Sequence, residues 1–227
     1  MAHLLRTLSM ALAAAILFAG SGCGDTAVPA PPPGGYAAAG EEAFYDTLNG
    51  VEIRDQQAID WLREATRSDP LVGRPWFLLG MMHLWRVAQA WTDPLHASPF
   101  VREEVTLARE ALARAVVLVP EDTRIPGFHA AARYNEGVAK EDPEITADGL
   151  RVLREAMDVN FLFNSFDFVG VVPPTVSGDD PLMAESIRYI EHGLTLLDDC
   201  TPKICAMTAL VGGTVDSHST PITAENR

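Results

Sequence analysis

The amino-acid sequence predicts an all-α fold of antiparallel helical hairpins stacked side by side. Three observations carry that expectation. Between residues 41 and 200 apolar side chains recur at separations of three and four, the helical period. One spacing of four, three and five occurs three times: Ala58-Leu62-Ala65-Pro70, Ala108-Leu112-Ala115-Pro120 and Gly149-Leu153-Ala156-Phe161. Between the first two copies runs W-x2-L-G-x2-H, from Trp76 to His83, starting six residues after Pro70. Small residues at such separations let a neighbouring helix come close, and the proline, where present, stops the helix.

Taken in chain order, residues 1–22 read as an export signal. Arg6 precedes an apolar run from Leu8 to Ala19. Those twelve residues would form a helix of about 18 Å, short of a ~30 Å hydrocarbon core. Gly20, Ser21 and Gly22 then lead into Cys23. Residues 23–40 carry four prolines and no periodicity, which reads as a tether. The helical domain is expected over 41–211, followed by a polar C-terminal tail over 212–227. Within the domain, helices are expected at 55–69, 73–91, 101–118, 124–139 and 145–159. Residues 164–180 hold Gly170, Pro173, Pro174 and Gly178 and read as a loop. Asp180 then caps a last helix with Pro181 at its first position, and Ile187, Ile190, Leu194 and Leu197 form its expected buried stripe.

The three spaced copies, with W-x2-L-G in register, resemble tetratricopeptide repeats over roughly half the chain. On that resemblance 73–91 and 101–118 form one repeat, 55–69 the second helix of an earlier one, and 124–139 with 145–159 a degenerate further pair. The chain departs from the pattern in several places. His83 stands where the repeat has an aromatic, leucines replace the aromatic at 62 and 112, and Ala108 comes sixteen residues late, so the segment around WTDPLHASPF is an insertion. Small-small-Cys after an apolar run resembles the lipobox of bacterial lipoproteins, with Gly20 where that motif usually has leucine. The resemblance implies a diacylglycerol on Cys23. A plain secreted protein, released into the periplasm, is the alternative. Gly24 lacks the aspartate that retains enteric lipoproteins at the inner membrane, which points to the outer one. The membrane is then met through the N-terminal lipid alone.

Charge excludes one class of partner. Acids outnumber bases 31 to 17, giving a net charge of −14, the opposite of a nucleic-acid-binding surface. Cys200 and Cys205 form an even pair once Cys23 is lipidated, as suits an oxidising compartment. On one continuous helix their Cα atoms would lie about 8 Å apart, too far to bond. Pro202 breaks such a helix and makes closure feasible; free thiols are the other reading.

No nucleophile, metal or cofactor signature is present. No two histidines sit three or four apart, and there is no CxxCH, GxSxG or HExxH. No catalytic residue, metal or cofactor is therefore assigned. His83 is read as a packed core histidine, and acidic pairs such as Glu103-Glu104 as helix-end charges. The tetratricopeptide register puts Arg74, Phe77, Met81 and Trp85 on a concave surface, with Trp76, Leu79, Gly80 and His83 packed inward. Such a groove implies a scaffold that binds an envelope protein or peptide, not an enzyme. The alternative is a small-ligand receptor with a lip formed by Trp91, His96 and Phe100.

Overall fold

The computed structural model describes residues 30, 34–93, 96–172, 175–176 and 179–198. Among these residues there are eight helices and no strand. All eight lie in one compact unit, Pro31–Arg227. They are α1 Gly35–Leu48, α2 Asp55–Ser68, α3 Gly73–Ala90, α4 Pro99–Leu118, α5 Ile125–Lys140, α6 Pro143–Val159, α7 Phe161–Val171 and α8 Pro181–Asp198. Each helix packs on the next in the chain, and alternate helices also meet: α1 with α3, α3 with α5, α5 with α7.

The recurring spacing marks what is buried. Ala58, Leu62, Ala108, Leu112, Ala115 and Leu153 are all fully enclosed, and Ala65 and Ala156 nearly so. The same interlock occurs twice. A Cβ on Gly40 of α1 would meet Leu62 Cγ at 2.8 Å, and one on Gly80 of α3 would meet Leu112 Cγ at 2.5 Å. In both places the missing side chain lets a leucine from the following hairpin partner press against bare backbone.

Three expectations are corrected. Helix α1 begins at Gly35, inside the stretch read as tether. The segment YAAAG is alanine-rich, and Ala39 and Gly40 are buried, so packing carries the helix back past residue 41. Residues 164–171, read as loop, belong to α7. Asn160 caps that helix by accepting from the Phe163 N–H at 3.3 Å, and Phe168 is fully buried beneath α8. The helix stops just ahead of Pro173 and Pro174.

The third correction concerns α8. Asp180 does cap it, accepting from the Leu182 N–H at 2.8 Å. Yet Ile187 and Ile190 are 49% and 42% exposed. The inward face carries Leu182, Ser186 and Tyr189 instead. Tyr189 meets Phe168 edge-on at 4.9 Å and Phe161 at 5.9 Å, and those aromatic contacts set the rotation of the helix. The side chains of Leu194 and Leu197 lie outside the described ones.

Polar groups tie the turns. Thr47 Oγ1 donates to the Ala43 carbonyl and accepts from the Arg54 N–H, at 2.8 and 2.9 Å. Ser98 caps α4 and Asp142 caps α6, each followed by a proline at the first helical position. Between α4 and α5 the buried Glu136 accepts from Arg109, Lys140 and Thr106 at 2.6, 2.6 and 3.1 Å. Burial raises its pKa, but these donors more than offset that and hold it below the ordinary value.

Candidate functional site

Helix α3 is the centre of the molecule and presents two opposed faces. At about 100° per residue, Arg74, Phe77, Met81 and Trp85 cluster on one side. Trp76, Leu79 and His83 lie about 180° away.

The first face looks toward α1 and α5. Arg74 Nη2 donates to Glu41 Oε1 at 2.6 Å and to the Tyr45 hydroxyl at 2.9 Å. Burial alone would lower the Arg74 pKa, but the bond and charge of Glu41 raise it overall. Asp122, ahead of α5, lies within electrostatic reach of Arg74. The Arg124 guanidinium bonded to Asp122, at 2.5 and 2.8 Å, holds that carboxyl below the usual carboxylate range. Arg74 and Tyr45 are 45% and 43% exposed, while Met81 and Trp85 are half-buried. Phe77 departs from its expected place in an open groove. It is only 9% exposed, and its ring packs against Phe128 of α5 at 5.8 Å. The close approach of α5 covers it, and it serves as core.

On the second face His83 is buried, as expected of a core histidine. Its Nδ1 lies 2.6 Å from Glu104 Oε2. Arg86 donates to the other Glu104 oxygen at 3.2 Å and reaches Asp55 at 3.1 Å. Three helices thus share one polar chain, Asp55–Arg86–Glu104–His83. Glu104 was not legible as a site residue, because beside Glu103 it reads as a helix-end charge. The available signal was its spacing: it stands four residues before Ala108 and so continues the buried stripe of α4.

Around the insertion, the three residues expected to form a lip are placed as follows. Trp91 packs near Val87, Val101 and Val105 and donates to the Asp93 carbonyl at 2.7 Å. The His96 side chain is 80% exposed, with Nδ1 3.0 Å from Asp93 Oδ2. Phe100 lies under the Arg86 guanidinium, 5.2 Å from its ring centre. Trp91 and His96 thus both bond to Asp93, through its carbonyl and its carboxylate, while Phe100 turns to Arg86.

Cys23, Cys200 and Cys205 lie outside the described residues. Among the described residues, no three His, Cys, Asp or Glu side chains are placed to hold a metal ion. Among them, too, no helix is long and apolar enough to cross a membrane. No protein-family model, no curated protein and no solved structure matches the chain.

Proposed function

We propose that the chain is a tetratricopeptide-like scaffold of the bacterial cell envelope, exported and anchored by a lipid on Cys23, that holds a segment of another protein. The partner lies along the face shared by α1, α3 and α5. What supports this is the half-open surface carrying Tyr45, Arg74, Met81 and Trp85, on helices that meet at every second position of the chain. An aromatic and thioether stretch with an arginine at its edge suits an extended peptide, since Trp, Tyr and Arg dominate binding hot spots. The export signal and lipobox-like GSGC support the location. Phe77 is excluded from the contact set because it is core.

The test places a photo-crosslinking residue at Met81 in cells expressing the full chain. One discrete crosslinked product is expected, lost in Tyr45→Ala/Arg74→Glu and in Trp85→Ala while helicity is unchanged. Equal crosslinking in both variants refutes this face. Cys23→Ser should move the chain from the membrane fraction to the soluble one, and an unchanged distribution refutes the anchor.

A further inference from the structure

On the far side of α3 from the partner face, helices α2, α3 and α4 line an open cleft of about 260 Å³. That is close to the lower end of small-molecule sites, roughly 300–1,000 Å³. Trp76, Leu79 and His83 line it from α3, Arg63 and Arg67 from α2, and Glu110 from α4. The charges there are unevenly satisfied. Arg67 is paired with Glu64, and Glu110 with Arg109 at 3.2 Å. Arg63 is half-buried as a residue, and its guanidinium has neither an ion-pair nor a hydrogen-bond partner among the described residues. In a chain with 31 acids and 17 bases, an arginine without an acidic partner on a cleft wall can pair with an outside anion. His83 supplies a second fixed polar group. Its Nδ1 is engaged by the buried Glu104 at 2.6 Å, so Nε2 is the ring atom left to meet a ligand. The half-buried Trp76 and the largely buried Leu79 supply the apolar part of the lining.

We propose that this cleft binds a small aromatic monocarboxylate, with its carboxylate on Arg63, its ring over Leu79 and Trp76, and a polar substituent facing His83. A larger or multiply charged anion does not suit it, because Arg67 and Glu110 already neutralise their own partners. The site stands on the opposite side of α3 from the partner face, so either reading can fail while the other holds.

The test is calorimetric titration of the full chain with benzoate, 4-hydroxybenzoate and the uncharged benzamide. Saturable binding of the two acids is expected, with benzamide at least tenfold weaker, since a charge-assisted bond to arginine is lost. Arg63→Gln should weaken the acids by roughly tenfold or more. Leu107→Trp, which fills the cleft from α4 without touching the charges, should abolish binding and keeps the test decisive if Arg63→Gln fails to fold. Absence of saturable binding by either acid, equal binding of benzamide, or retained affinity in either folded variant overturns the proposal.

Discussion

Gly80→Ala probes the interlock on which the packing of α3 against α4 depends. A Cβ there would stand 2.5 Å from Leu112 Cγ, 3.0 Å from Leu112 Cδ2 and 3.2 Å from the Ala108 carbonyl oxygen. Carbon atoms in good contact sit about 3.5–4.0 Å apart, so Leu112 must move by most of an ångström. It is fully buried and has no space to enter. Overpacking of this kind costs about 1–3 kcal/mol, while alanine gains about 0.8–1.0 kcal/mol over glycine inside a helix. The net expectation is a loss of up to about 2 kcal/mol. Leu112→Ala alone should cost about 2–5 kcal/mol through the cavity it leaves. In the double variant the new methyl group occupies part of that cavity, so the loss should fall short of the sum by at least ~0.5 kcal/mol. Urea unfolding followed by circular dichroism reads all four corners of the cycle, provided the slope against denaturant is unchanged. A Gly80→Ala protein that gains the full helix-propensity benefit, or a cycle that closes additively, refutes the close approach of α3 and α4.

Other expectations follow from the buried polar groups. Glu104→Ala should cost about 3 kcal/mol or more, because it strands His83 in the interior, whereas Glu103→Ala on the exposed neighbour should change stability by less than ~0.5 kcal/mol; thermal unfolding compares them. Asn160→Ala removes both the cap of α7 and a 2.8 Å bond to Thr123, and should lower stability by about 1–2 kcal/mol in the same assay. Asp167 gives a pH dependence of unusual sign. The residue is half-buried, and desolvation by the surrounding protein pushes its pKa well above the ordinary value. The folded state therefore holds that proton more tightly than the unfolded chain. Its contribution is intact below the unfolded pKa near ~3.9 and is lost as pH rises through the folded one. Asp167→Asn should flatten this decline and stabilise the protein at neutral pH relative to the parent; a variant-minus-parent stability difference that does not grow from pH 4 to pH 7 refutes the assignment. Asp122 works oppositely: its lowered pKa adds stability above the unfolded value that disappears on acidification, and Asp122→Asn should remove that acid-side loss.

How far the fold could be read depended on which physical signal dominated each segment. The four-three spacing of small residues around Leu62, Leu112 and Leu153 was sufficient, since close helix approach needs small side chains at those positions. Helix α1 was cut short because the prolines just before it dominate the composition, while the glycine that makes its packing possible, Gly40, carries no periodic signal of its own. In α7 the same thing happened from the other side: Pro173, Pro174 and Gly170 outweighed FLFNSFDF, whose cap residue Asn160 lies one position earlier. On α8 two apolar stripes compete, and only tertiary contact with Phe168 decides for Tyr189 over Ile187 and Ile190. For the site, helical geometry put Arg74, Met81 and Trp85 on the side of α3 away from His83, but it packed Trp76 inward, where the structure leaves it half-buried on the cleft. It could not tell that α5 closes over Phe77, because that depends on a helix more than forty residues away in the chain.

His83, where the resemblance would put an aromatic, has a physical consequence for its surroundings. An aromatic ring at position 83 would fill its slot with carbon. An imidazole is smaller and brings two nitrogens, so it creates two demands at once. One nitrogen needs a buried partner, which Glu104 supplies, and that carboxylate in turn needs a cation, which Arg86 supplies by bridging to Asp55. His83 and Arg63, the latter without a partner among the described residues, line the same cleft. A chain selected only to stack hairpins gains nothing from exchanging a simple ring for a four-residue polar chain that must be satisfied at every link. Local rules broken together, around a cavity, are what a ligand site requires. The polar chain holds His83 rigid from behind while its other edge faces the cleft, which is how a binding group is kept in position without a loop to carry it.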